Sequence, residues 1–173
     1  MAQSIELLLD AGSEEIVRAQ WRTLHKAGLP TEHRGGDRPG NEHHRPHITL
    51  FAGPSVPEPE AELAELVDEL LGLRVILGSI LLFGPRRGAY VIVRQVLPTP
   101  GLLAVQQQVA GWCGALLDGQ FGRGRWAPHV TLARRARAED LAAMLTLLPE
   151  QSQLVTITGC RRWDGTAKTA WLL

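Results

Sequence analysis

Two short segments carry the same set of reactive groups, Arg-Pro-His-Ile-Thr-Leu at 45–50 and Ala-Pro-His-Val-Thr-Leu at 127–132. In an extended strand the side chains alternate between faces. His47 and Thr49 therefore share one face and Ile48 and Leu50 the other. His129 and Thr131 repeat the arrangement, with Val130 and Leu132 opposite. An imidazole beside a hydroxyl is costly to bury without partners, so this face belongs to a polar cleft and the apolar face to a core. Imidazole titrates near neutrality, and one histidine can act as a neutral base while its twin acts as a charged acid. Threonine hydroxyls can donate to a phosphoryl oxygen without adding charge. Base on one side and acid on the other of a tetrahedral phosphorus is what the opening of a strained cyclic phosphodiester by water requires. Neither tetrad contains an Asp or Glu, so the usual carboxylate cage for magnesium is missing, and neither a metal nor a cofactor is expected.

The elements around the tetrads repeat as well. The two histidines lie 82 residues apart, close to half of the 173-residue chain. A strand at 4–9 precedes the first tetrad, stopped by an Asp-Ala-Gly turn. A helix follows with Ser13 as its cap, Glu14 and Glu15 in its first turn, a stripe of Ile16, Ala19, Gln20, Thr23, Leu24 and Ala27, and Gly28 at its end. Residues 31–45 read as a long loop, mobile or functional. A helix over 57–71 and a strand over 73–83 follow the first tetrad. The strand at 89–96 then forms a hairpin with 73–83 around a loop at 84–88. A helix over 100–117, a Gly-rich stretch at 119–124 and a strand at 128–133 complete the second copy. A helix at 139–148 and a hairpin of 154–163 with 169–172 close the chain. Strands gathered in hairpins indicate an α+β fold. The repeated order indicates one two-lobed domain over 1–173, duplicated about a pseudo-twofold axis, with antiparallel sheet inside, helices outside and a central cleft.

Composition narrows the function classes. Hydrophobic residues make up 45% and charged residues 21%, values of an ordinary globular domain and not of a disordered chain. Lys and Arg number 18, as do Asp and Glu, and this balance opposes wrapping of duplex DNA while leaving room for a local basic cleft. No apolar run approaches a membrane span, and the N-terminus lacks the basic start of a signal peptide. Cys113 and Cys160 stand far apart without a C-x-x-C spacing, so a reducing cytoplasm is the expected location. A monomer is the expected state.

The His47-Ile-Thr49-Leu and His129-Val-Thr131-Leu tetrads resemble the paired H-x-T-x motifs of the 2H phosphoesterases. The resemblance is closest to the bacterial 2'-5' RNA ligase / RNA 2',3'-cyclic phosphodiesterase branch. Residues 128–134 (PHVTLAR) are similar to that branch's second motif with its trailing Arg134, and residues 80–93 to its central hairpin. The resemblance implies that His47 and His129 are the acid–base pair and that Thr49 and Thr131 hold the phosphate. It further implies that no metal is needed, that the product is a 2'-phosphate, and that ligation, where it occurs, is a reversible minor reaction. The expected partner is an RNA end or a small cyclic nucleotide. The first motif departs from the family in continuing Phe51-Ala-Gly-Pro after a loop rich in Gly and His.

Further residues are candidates for substrate contact. Arg134 should face away from His129 at its odd offset unless the strand bends. Arg45 flanks the first tetrad. Arg86 and Arg87 in the hairpin, with Arg123 and Arg125 before the second tetrad, could form a rim for nucleic-acid phosphates. Trp126 could stack on a base. Trp21, Trp112, Trp163, Trp171 and Cys113 read as structural. His43, His44 and His47 form H-H-x-x-H, but no carboxylate spacing supports a metal site there. The main alternative is a binding module that holds an RNA end or nucleotide without turning it over.

Overall fold

The computed structural model describes residues 3–34, 43–57, 61–115 and 119–173. Strand β1 (Gln3–Leu9) runs directly into helix α1 (Ala11–Lys26) because Asp10 is the N-cap, its carboxylate accepting from the Ser13 amide at 2.6 Å. Asp10 thus takes the role expected of Ser13, whose Oγ instead accepts from the Thr156 amide. The buried stripe of α1 is Ser13, Glu14, Val17, Gln20, Trp21 and Leu24, rotated from the expected one, with Ile16 at its edge. Gln20 lies in that stripe because its Oε1 accepts from the Arg94 guanidinium, which is almost wholly buried and also donates to the carbonyls of Gly78 and Pro149.

The remaining elements are β2 (His47–Gly53), α2 (Ala61–Asp68), β3 (Arg74–Arg86), β4 (Ala89–Val96), α3 (Pro100–Trp112), β5 (His129–Ala136), α4 (Ala138–Leu147), β6 (Gln153–Asp164) and β7 (Thr169–Leu172). The expected five-residue hairpin loop at 84–88 is shorter. β3 continues to Arg86, which pairs with Ala89 across Arg87 and Gly88. Both of these have positive φ, 51° and 72°, which gives a two-residue turn whose twist suits the flanking strands. The centre of the 31–45 loop (35–42), part of the expected second helix (58–60) and the last two residues of the expected third (116–117) lie outside the described residues; the third helix itself ends at Trp112, short of the expected 117.

All strand pairs are antiparallel, in the order β2-β1-β6-β3-β4-β5, with β7 paired to β6. Exchanging β1 with β4, β2 with β5 and β3 with β6 reverses this order and leaves it unchanged. Val75 opposite Val155 is the pair that maps onto itself, so the pseudo-twofold axis passes there. Each lobe therefore contains two strands of its own half and the third strand of the other half. The lobes form one continuous sheet through β3 and β6. β2 and β5 stand at opposite ends of the strand order yet touch each other, because the sheet bends to bring its ends together. Ile48 and Leu50, with Val130 and Leu132, point into a core shared with Val17, Trp21 and Leu24 of α1 and Leu102, Val105 and Val109 of α3. Trp171 is 48% exposed, contrary to its structural reading, and lies beside the Arg162 guanidinium.

Candidate active site

The tetrads open β2 and β5. Ile48 and Val130 are fully buried, whereas His47, Thr49, His129 and Thr131 are half-buried on the opposite face, as period-two alternation requires. In both rings Nδ1 meets the carbonyl two residues upstream, Arg45 O at 2.8 Å for His47 and Ala127 O at 2.7 Å for His129. A carbonyl only accepts, so Nδ1 carries the proton in each ring. Nε2 is left as the atom that exchanges protons with a substrate.

Each strand then bulges at the same place. Glu6 pairs with Thr49 and Ile5 with Phe51, leaving Leu50 as the extra residue. Val93 pairs with Thr131 and Ile92 with Ala133, leaving Leu132 extra. The inserted residue shifts the alternation, so Leu50 and Phe51 are both buried, as are Leu132 and Ala133. The next side chains, Ala52 and Arg134, return to the side of the histidines. Arg134 therefore lines the cleft instead of facing away, and its Nε reaches the Glu32 carboxylate at 3.1 Å.

The cleft has a volume of about 480 Å³ and is lined by Thr49, His129, Thr131, Arg125 and Arg134, with an apolar wall of Phe83, Val91, Phe121 and Trp126. His47 is not part of that lining, but its charge still acts on His129. Burial pushes the His129 imidazole below the usual histidine range. The neighbouring His47 and Arg134 add to the effect and the Ala127 carbonyl opposes it. The Phe83 ring meets the His129 ring edge to face at 4.9 Å.

The two lobes are unlike in their floors. Behind His47 stands Glu6, with Oε1 3.6 Å from the histidine Nε2. Glu6 accepts from Ser4 Oγ at 2.6 Å and from the Arg161 guanidinium at 2.9 and 2.7 Å. Burial alone would raise the Glu6 carboxyl; the charges of His47 and Arg161 and the hydrogen bonds from Ser4 and Arg161 outweigh it and hold it below the usual range. At the equivalent places the other lobe has Val93, paired with Thr131, and Leu81. Among the described residues no carboxylate pairs with His129.

The other candidates divide. Arg125 and Trp126 line the cleft. Arg45 turns to Glu14 of α1 and the Leu9 carbonyl. Arg86 lies at the end of β3 beside Arg87, in a separate shallow pocket that Arg134 also lines. Arg123 is exposed and outside both linings. The His43 ring packs on Trp163, and His44 stacks on Trp21 with its Nε2 on the Glu32 carbonyl, so the rings of the H-H-x-x-H segment diverge. Glu6, Arg161, Glu32, Phe83 and Phe121 join the site without having been foreseen. The unbroken apolar pairs Leu50-Phe51 and Leu132-Ala133 were the signal for the bulges.

The fold is similar to that of solved structures of E. coli LigT. The apo form is 20% identical over 99% of this chain and 92% of that one, with a TM-score of 0.50. The form complexed with phosphate is 17% identical over 99% and 92%, with a TM-score of 0.50. The form complexed with ATP is 16% identical over 99% and 93%, with a TM-score of 0.51. No curated protein matches at the level of sequence. The family model of the 2'-5' RNA ligase superfamily matches residues 13–164, and the chain belongs to that superfamily of 2H phosphoesterases, which comprises phosphoesterases and ligases.

Proposed function

We propose that the protein hydrolyses a 2',3'-cyclic phosphate at an RNA end or on a nucleotide, by two-histidine acid–base catalysis without a metal. The observation that carries this reading is the pair of tetrads on the meeting edge strands. Each histidine has Nδ1 tied to a carbonyl and Nε2 free of hydrogen bonds among the described residues, that of His47 with the Glu6 carboxylate 3.6 Å away. Thr49 and Thr131 donate hydrogen bonds to the non-bridging phosphoryl oxygens, where negative charge grows as the phosphorus becomes five-coordinate. A water attacks phosphorus in line with the ribose 3'-oxygen and loses its proton to Nε2 of one histidine. The bond from phosphorus to the 3'-oxygen breaks, and Nε2–H of the other histidine protonates that oxygen, leaving a 2'-phosphate and a 3'-hydroxyl. The same steps with the 5'-hydroxyl of a second strand in place of water constitute 2'-5' ligation, and their reverse cleaves that linkage back to the cyclic phosphate.

The unlike floors support a division of the two parts. His129, lowered by burial and by its cationic neighbours, is the base. His47, whose Nε2 lies 3.6 Å from the Glu6 carboxylate, is the acid. The LigT complexes with phosphate and with ATP support a cleft of this fold as a place for phosphoryl groups and nucleotides. No helix among the described residues is long and apolar enough to cross a membrane, and the two free cysteines suit a reducing compartment.

The test is turnover of a 2',3'-cyclic-phosphate RNA oligomer and of cyclic mononucleotides, in EDTA, by the parent, His47→Ala and His129→Ala. Turnover that survives EDTA and is abolished in both variants is the expected result. Binding of these ligands without turnover by the parent would replace the enzyme with a binding module. Activity lost to EDTA and restored by a divalent cation would end the metal-free mechanism.

A further inference from the structure

Four arginines converge beside the cleft, one of them, Arg134, shared with it. Arg86, Arg87, Arg134 and Arg135, with Ala89, Tyr90 and Val91, line an open pocket of about 310 Å³ formed by the β3–β4 turn and the far end of β5. Arg134 and Val91 also line the main cleft, so the two spaces adjoin. None of the ion pairs among the described residues takes up Arg86, Arg87 or Arg135. In a chain with equal numbers of acidic and basic residues, such a cluster is a local departure from neutrality.

The backbone holds this cluster at a cost. Arg87 and Arg135 have φ of 51° and 61°, and they are two of the three non-glycine residues with positive φ among the described residues. A long side chain in the left-handed region costs roughly 1 kcal/mol or more, and such strain gathers at functional sites. The pseudo-twofold supplies a control within the molecule. The places of Arg134 and Arg135 on β5 are taken on β2 by Ala52 and Gly53. A symmetric cleft would accept a strand in either direction; an arginine cluster on one lobe removes that ambiguity.

We infer that this pocket binds a backbone phosphate of single-stranded RNA next to the reacting phosphate, which makes the substrate class an oligonucleotide end approached from the His129 side. The assignment rests on the phosphoesterase reading of the cleft. One phosphate held between the threonines cannot also fill the adjoining pocket, whereas a strand carries a second phosphate covalently linked to the first. Arginine guanidinium is suited to that group through paired N–H donors. Interactions of this kind position a strand and carry no sequence preference.

The experiment measures binding, so that it does not depend on turnover. A labelled five-nucleotide RNA ending in a 2'-phosphate is titrated with the parent and with the triple variant Arg86→Gln/Arg87→Gly/Arg135→Gly, with a nucleoside 2'-monophosphate as competitor. Arg134 is left intact because it also lines the cleft. Glycine suits both positive-φ positions, and a melting temperature close to the parent's confirms that the variant folds. Strand affinity falls about tenfold in the variant, and the competitor's affinity changes less than about twofold. The salt dependence becomes shallower by about 0.7 in log–log slope for each phosphate that the variant no longer neutralises. Equal losses for both ligands, or no loss for either, overturn the pocket. Parent binding to phosphatidylserine vesicles that exceeds binding to RNA, and that the variant loses, overturns it in favour of an anionic membrane surface. Strand binding that behaves as described in a parent unable to open any cyclic phosphate supports the pocket and sinks the hydrolytic reading alone.

Discussion

The indole Nε1 of Trp126 donates to the backbone carbonyl of Thr49 at 3.0 Å, 77 residues away along the chain. The relation has a counterpart across the pseudo-twofold, where Trp21 Nε1 donates to the Thr131 carbonyl at 3.0 Å. β2 and β5 are the end strands of the sheet path, so each presents carbonyls with no strand partner. Beside them, the bulge carbonyls of Leu50 and Leu132 are taken up by Gln106 Nε2 and the Glu32 amide. In each half, groups from the other half hold the strand that carries the histidine.

Replacing Trp126 with Phe keeps an aromatic wall and removes the donor. An unsatisfied carbonyl costs about 1–3 kcal/mol, and the half-buried position of Trp126 places the loss near the lower figure. Thr49 would also drift relative to Thr131, and small misplacements of a catalytic group cost up to about 100-fold in rate. Trp126→Phe should destabilise by about 1 kcal/mol in urea unfolding and Trp21→Phe, at a buried position, by about 3 kcal/mol, and each should lower kcat by about tenfold or more. An unchanged kcat in both would show that the indoles do not set the strand positions.

Thr49→Val and Thr131→Val retain shape and delete one hydroxyl each. Loss of one donor to a developing oxyanion costs about 100- to 1,000-fold in kcat. Neither hydroxyl makes a side-chain hydrogen bond among those described, so thermal unfolding should change little. Kinetics and melts on the same preparations check both halves of the expectation, and a large loss of stability with intact turnover would assign the threonines to the fold.

His129 sets the acid side of the pH profile if it is the base. Because burial, His47 and Arg134 lower it, the rate should rise with pH through a midpoint below 6.5. Arg134→Met removes one of the cationic neighbours, so the midpoint should move up, and NMR titration of the His129 ring should move with it. In linkage terms the folded protein takes up this proton at lower pH than the unfolded chain. The stability contribution is therefore whole above the unfolded pKa and is lost as pH falls below it. A ring titration that does not respond to Arg134→Met would remove that arginine from the electrostatics of the site.

Alternation, repetition and order of elements were legible in the chain, because a strand's period is local and the two tetrads display it twice. The cleft side of Arg134 was not, since it depends on a bulge that inverts the count after Leu132. Asp10 as a helix cap was masked by its second identity as a turn residue, and Ser13 stood in the more familiar position for a cap. The hairpin loop shortened because Arg87 adopts a left-handed backbone that its side chain does not advertise. Nothing in the strand at 4–9 marks Glu6 as part of the site. Its place in the site is created by Arg161, 155 residues away, which the sheet order alone brings alongside.

The Glu6–Arg161 pair is the clearest asymmetry between the lobes, and the molecule itself suggests how to separate its structural role from its chemical one. Glu6→Ala leaves the buried Arg161 without its carboxylate, and stranding one member of such a pair costs about 3–5 kcal/mol. Replacing both members with apolar residues is far milder, and the equivalent positions of the other lobe are occupied by Val93 and Leu81. Glu6→Val/Arg161→Leu should therefore recover most of the stability, short of the roughly 1 kcal/mol lost with the Arg161 bond to the His43 carbonyl. It should not recover activity, because the carboxylate beside His47 Nε2 is then gone. The pair also carries a pH signature. The folded Glu6 carboxyl lies below its ordinary value, so its contribution is complete above about 4.5 and is lost as pH falls through the folded pKa. Acid unfolding of the double variant should lack that component. A stable double variant with parental kcat would show that Glu6 and Arg161 only hold the lobe together, and the assignment of His47 as the acid would lose its support.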